Sequence, residues 1–381
     1  MKVLQVGTLN RPIGCGLGYS PIETVISNID HGLEKIGIQS VVACSGDSKI
    51  VGEHFVTIEK SFGEYWSEDS KIQRESMKRH LILSLKRATA GDIDIIHMHD
   101  AGMLEFIFQG VVKSPVPIVM TLHVPAGEEQ SFKRWNKFLT PSSGIFFVPI
   151  SEYQRKQHEG LSNLRDVIHH GLDLEEYPFS DKVLKEDYLF SIGRITPDKG
   201  QDKAIEVALS TKSRLIIAGN IQNKEIDKKY FKKISSSINY NVNVEFPESE
   251  SDYYENVMKP ILNTEHQIIY IGELNHIQKK YWFSHAKATL FPIQWGEPFG
   301  LVLIESMALG TPVIALKKGS VPEIIHHGKT GYAVDTQMEM QDAILEVSQI
   351  PPKDCRDHVE KNFSIELMAK KYSKLYEQIK R

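Results

Sequence analysis

A chain of 381 residues, 41% hydrophobic and 25% charged, has apolar material for two domains with buried cores, and its net charge of −4 argues against nucleic acid or a strongly anionic membrane as partner. Its three cysteines, Cys15, Cys44 and Cys355, are odd in number and far apart, which suits a reducing compartment and offers no metal-ligand spacing. The N-terminus reads as a short strand rather than a signal peptide and no run of about eighteen apolar residues occurs, so a cytoplasmic protein with small-molecule partners is expected.

Short β-branched runs at 3–6, 39–43, 93–97, 118–122 and 145–150 alternate with helical periodicity at 23–36 and 71–88. That alternation predicts a doubly wound parallel sheet. A second series at 188–192, 214–218, 267–271, 288–291 and 313–315 restarts the pattern after a turn-rich, charged stretch at 171–185. The fold class is therefore α/β, with Rossmann-like domains over 1–178 and 179–364 and a helix at 365–379. The acidic segment 241–259 reads as a solvated loop running into a short helix.

Candidate ligand-binding loops follow the strands. After the first strand, Gly14-Cys15-Gly16-Leu17-Gly18-Tyr19 can offer backbone N–H groups and a helix N-terminus to a phosphate. Gly16 and Gly18 are spaced Gly-x-Gly-x-Gly from Gly14 and lie far beyond the strand, which argues against a dinucleotide loop. His97-Met98-His99-Asp100 and Thr121-Leu122-His123 end two further strands. His123 can hydrogen-bond a sugar hydroxyl or carry a proton, a structural role being the plainer alternative. Asp92-Ile93-Asp94 mimics a metal-binding Asp-x-Asp, but it precedes a strand, where carboxylates usually face solvent, and no metal is assigned.

In the second half, Gly193-Arg194-Ile195-Thr196-Pro197-Asp198-Lys199-Gly200 follows a strand. The planar donors of Arg194 and the mobile charge of Lys199 suit a diphosphate whose negative charge grows as it leaves; two solvated cations are the bland alternative. In the stretch 294–312, Pro298 can open a helix that Gly310 stops. That helix is apolar nearly all round, yet it carries Glu305 and begins just after Glu297. A rise of about 1.5 Å per residue puts the two carboxylates roughly 12 Å apart, with N–H groups exposed at the Pro298 end. A ligand with hydroxyls at both ends and an anion in the middle fits that pattern. The segment from Gly319 to Gly331 reads as a ligand-facing loop or an ordinary turn.

Together these elements resemble the family-four retaining glycosyltransferases over nearly the whole chain. The most specific part is Glu297 and Glu305 separated by seven residues, supported by the Gly-Arg…Lys-Gly signature at 193–200, the glycine loop at 319–331 and the segment 167–173. The resemblance implies two Rossmann-like domains facing a cleft, with the C-terminal helix, 365–381, crossing back to the first. It implies that Arg194 and Lys199 hold the donor diphosphate, Glu297 contacts donor-sugar hydroxyls and Glu305 holds the ribose. The backbone at Phe299, Gly300 and Leu301 would meet phosphate or sugar, and His123 would lie beside the donor sugar. Gly16 and Gly18 stand near the family's Gly-Gly before a helical Glu, here Glu23, although Leu17 separates them; His170 replaces the family's Asn. Transfer with retention, without a metal ion or other cofactor and with the leaving diphosphate helping to deprotonate the acceptor, follows from the same likeness.

For the acceptor, Asp100, Glu128 and Glu129 lie just beyond strand ends and suit an amine-bearing molecule. The segments 15–23 and 43–48 look similar to the aminoglycoside-pathway enzymes that glycosylate 2-deoxystreptamine, which makes UDP-N-acetylglucosamine the expected donor in antibiotic biosynthesis. The alternatives are a transferase of cell-surface polysaccharide or glycolipid and, from other classes, a sugar-nucleotide epimerase, a phosphorylase or a non-catalytic sensor.

Overall fold

The computed structural model describes residues 1–14, 20–63, 71–110, 113–124, 135–140, 142–244 and 252–380. It contains two units, one of Met1–Asp173 with Phe363–Arg381 and the other of Leu174–Asn362.

In the first unit, β1 (Lys2–Val6), β2 (Gln39–Ser45), β3 (Glu53–Ile58), β4 (Ile95–Met98), β5 (Ile118–Leu122) and β6 (Ile145–Pro149) form a parallel sheet in the order β3-β2-β1-β4-β5-β6. Val6 pairs with Ala43 on one side and Met98 on the other. These strands are rich in Val and Ile because helices cover both faces. Leu81 and Leu85 of the helix Lys71–Ala88 pack with Leu4 and Val6, while Ile26 of the helix Pro21–Lys35 packs with Val42 and Cys44. Strand order reverses between β1 and β4, which opens a crevice at their carboxyl ends. The edge strand β3 is an addition to the expected set: Glu53 and His54 are exposed, so no apolar run marks it.

The terminal helix Ile365–Ile379 belongs to this unit. Leu172 N donates to Phe363 O at 2.8 Å and Ile365 N to Leu172 O at 3.1 Å. Asn28 Nδ2 donates to Gly171 O at 2.9 Å, holding the same segment to the helix Pro21–Lys35.

In the second unit, β7 (Tyr188–Ile192), β8 (Arg214–Ala218), β9 (Tyr240–Asn241), β10 (Ile268–Tyr270), β11 (Ala288–Phe291), β12 (Val313–Leu316) and β13 (Gly331–Val334) form a parallel sheet in the order β13-β12-β11-β7-β8-β10-β9. The reversal lies between β7 and β11. Both sheets are doubly wound and Rossmann-like, as the alternation predicts. β9 is too short to leave a pattern, and β13 starts inside the glycine-bearing segment, where Gly331 masks it.

Candidate active site

The two strands flanking the reversal in the second unit carry the charged motifs. Beyond β7 the chain passes Gly193 and Arg194 into a turn of 3-10 helix, Pro197–Lys199, closed by left-handed Gly200 at φ +71°. A β-carbon on Gly200 would fall 2.2 Å from Pro292 O, just past β11, so only glycine lets these loops meet. Gln294 N donates to Asp198 O at 2.7 Å and fastens them.

That fastening brings Lys199 and Glu297 together. Lys199 Nζ lies 2.7 Å from Glu297 Oε2, and the side chains are only 13% and 12% exposed. Trp295 Nε1 donates to the same oxygen at 3.1 Å, while its ring centre lies 5.4 Å from Lys199 Nζ. The lysine is thus held by a charge-assisted hydrogen bond and an aromatic face. Among the described residues no hydrogen bond reaches Glu297 Oε1.

Gly319 forms the floor beneath Glu297. At φ +66°, its added β-carbon would lie 2.2 Å from Glu297 O and 2.3 Å from Glu297 N. Ser320 N donates to Glu297 O at 2.9 Å, and Ser320 Oγ donates to Phe299 O at 2.8 Å. The glycine-bearing segment is therefore a close backbone support for the Glu297 loop.

The expected helix starts later than Pro298. It spans Leu301–Ala308 with left-handed Gly300 as its N-cap, so Glu297 belongs to the preceding loop and the axial spacing of the two carboxylates does not apply. The left-handed backbone at Gly300 interrupts helical geometry, and Phe299 is buried with its carbonyl committed to Ser320. Gly310 does stop the helix, its N–H donating to Met307 O at 3.0 Å. Leu301 is the first helical residue.

Glu305 is 4% exposed, and its Oε1 accepts from Lys279 Nζ at 2.5 Å and Tyr177 OH at 3.1 Å. Burial pushes its pKa up, but the Lys279 charge and the hydrogen bonds from Lys279 and Tyr177 outweigh burial and hold it below the usual carboxylate range. No hydrogen bond among the described residues reaches Oε2. Each carboxylate thus gives one oxygen to a lysine and an aromatic donor. Arg194 Nη1 donates to Gln222 Oε1 at 3.3 Å, and its carbonyl accepts from Gln201 Nε2 at 2.8 Å. Sequence reasoning gives no role to Trp295, Lys279 or Tyr177. Trp295 stands inside the motif, whereas Lys279 and Tyr177 lie 26 and 128 residues from Glu305 and only folding brings them in.

In the first unit His123 is not the lone strand-end histidine expected. Its Nε2 lies 3.0 Å from His99 Nδ1, and a column of rings runs from His97 to His99, His123 and His170 at centroid spacings of 4.3, 5.3 and 5.4 Å. His97 is clamped between Thr121 Oγ1 and Tyr376 OH, each at 2.7 Å. Burial lowers the pKa of both His97 and His123 to about 3, so each is a neutral hydrogen-bonding ring near neutrality.

Asp100 caps the turn Ala101–Met103, its Oδ1 accepting from Gly102 N at 2.8 Å. Glu23 is buried and accepts from Thr8 Oγ1 at 2.6 Å. Gly16, Gly18, Glu128 and Glu129 lie outside the described residues. Asp92 and Asp94 do more than face solvent: Asp92 pairs with Arg87 and Lys2, and Asp94 with Lys380. Among the described residues no cluster of three or more His, Cys, Asp or Glu is arranged to hold a metal ion, and no helix is long and apolar enough to cross a membrane.

Residues 175–363 match the family described as glycosyl transferases group 1, and residues 22–176 match glycosyltransferase family 4. The N-acetyl-alpha-D-glucosaminyl L-malate synthase of Bacillus anthracis is 22% identical over 308 residues, 76% of each chain. Among solved structures, AviGT4, a glycosyltransferase involved in avilamycin A biosynthesis, has a TM-score of 0.68 at 20% identity, over 100% of this chain and 98% of its own. Anabaena HepE in complex with UDP-glucose also scores 0.68, at 15% identity over 99% of this chain and 100% of its own.

Proposed function

This chain belongs to the group 1 and family 4 glycosyltransferases, enzymes using sugar-nucleotide donors, and we propose that it transfers N-acetylglucosamine from UDP-N-acetylglucosamine, with retention, to a hydroxyl of a small amine-bearing acceptor such as 2-deoxystreptamine. The observation that carries the reading is the Lys199–Glu297 pair at the strand-order reversal of the second unit, where open α/β sheets bind ligands. In this reading Arg194 and Lys199 receive the diphosphate, Glu297 accepts from sugar hydroxyls and Glu305 accepts from the ribose. The two cations supply the charge that would otherwise come from a metal ion. Glu305, held ionised by Lys279, suits hydroxyl donors.

The uridine donor draws support from the Anabaena neighbour, which holds UDP-glucose. The N-acetylglucosaminyl group appears in the name of the Bacillus relative, and AviGT4 belongs to antibiotic biosynthesis. A donor-by-acceptor screen followed by mass spectrometry tests the proposal, with UDP-N-acetylglucosamine and 2-deoxystreptamine as one arm and a lipid-linked acceptor as another. Release of UDP only with an aminocyclitol supports it. Turnover only with the lipid-linked acceptor points to glycolipid or polysaccharide synthesis, and consumption of donor without any acceptor points to an epimerase.

A further inference from the structure

We infer that Glu297 also drives product release: once the sugar has left, its carboxylate reclaims Lys199 and displaces the nucleoside diphosphate. The inference rests on the transferase reading above and adds a second task to the same residue.

Lys199 and Glu297 neutralise each other at 2.7 Å, and both are largely withdrawn from water. A diphosphate that takes Lys199 leaves Glu297 with the indole N–H of Trp295 as its remaining donor among the described residues. A mostly desolvated carboxylate stripped of its cation is costly. An intact sugar nucleotide offsets that cost, because the hydroxyls it carries hydrogen-bond the carboxylate as the diphosphate takes the lysine. The bare diphosphate brings an anion for Lys199 and nothing for Glu297. Substrate and product are thereby distinguished at one side chain, and the discrimination acts on the species that must leave. Gly319, packed against the Glu297 backbone, keeps the carboxylate within reach of Lys199 throughout.

The test is calorimetric titration of UDP, GDP and ADP into the wild-type protein and into Glu297→Gln, using the diphosphate that binds best. Glutamine keeps the shape and removes the competing charge. Diphosphate affinity should rise about tenfold or more, while turnover falls because the sugar contact is weakened. Trp295→Phe acts in the opposite direction: the ring stays over Lys199, the donor to Oε2 is lost, Glu297 grips the lysine harder and diphosphate affinity drops severalfold. Tightening in the first variant with weakening in the second supports the inference. If a diphosphate binds the wild type and Glu297→Gln binds it equally or more weakly, the release role is overturned while the transferase reading stands. If none of the three binds either protein, the transferase reading falls as well.

Discussion

Replacing Lys279 by Met removes the cation that keeps Glu305 ionised inside the second unit. Breaking a buried pair from one side costs about 3–5 kcal/mol at neutral pH, and the pair qualifies, with side chains 19% and 5% exposed. For a unit of this size that is a fall of roughly 6–20 °C in melting temperature. The sign of the pH dependence makes the prediction specific. In the wild type, Glu305 has a folded pKa below its unfolded value, so its contribution is present above about pH 4.3 and lost as pH falls. In Lys279→Met burial dominates, the folded pKa lies above the unfolded one, and stability is lost as pH rises. The gap between the two proteins should therefore widen from about pH 4.5 to 7, by up to about 1.4 kcal/mol per pH unit. Scanning calorimetry across that range measures it. The double variant Lys279→Met, Glu305→Leu should recover most of the loss, since an apolar replacement of a buried pair is often neutral. A gap that stays constant with pH would refute the electrostatic account of this site.

Lys199→Ala strands Glu297 and should lower the melting temperature, yet at a temperature where the variant is still folded it should lose about 10² to 10³ in turnover, the usual effect of deleting one preorganised donor; wild-type turnover would remove Lys199 from the chemistry. Gly319→Ala forces a β-carbon into the Glu297 backbone from a left-handed conformation, so a urea titration should show a loss of about 1–3 kcal/mol or more. Acid should unfold the first unit early. His97 and His123 have pKa values of about 3 and His80 of about 4, and burial also holds His99 and His170 well below the ordinary histidine value. The unfolded chain takes up protons first as pH drops through about 6.5, and each such histidine costs about 1.4 kcal/mol per pH unit from there down to its folded pKa. Equal melting temperatures for that unit at pH 7.5 and pH 5 would contradict this.

The strands are legible where helices cover both faces, since a short, largely apolar run such as Ile118–Leu122, too short for a helix, fits a buried parallel strand best. The exposed edge strand Glu53–Ile58 leaves no such mark. Arg194, Lys199 and Glu297 can be picked out because their chemistry sits on contiguous loops just past strand ends. The helix start is not legible, because proline is permitted at a first helical turn without requiring it, and Gly300 two residues later decides otherwise. Lys279 and Tyr177 carry no local signal, being ordinary residues whose importance comes from what the fold sets beside Glu305. The histidine column is visible only as scattered letters until the sheet aligns His97, His99 and His123.

Because the first unit borrows its last segment from the far end of the chain, the ribosome makes its parts at two separate times. Tyr372 and Tyr376, both fully buried there, emerge only after all of Leu174–Asn362 has been synthesised, a delay of about 10–40 s at ordinary elongation rates. During that interval His97 and Thr121 lack their tyrosine partners, so the part of the first unit made before residue 174 is completed only after the second unit has been synthesised. The contiguous second unit has no such wait. A released chain ending at residue 362 should accordingly display a protease-resistant second unit beside a first unit that is still readily cut.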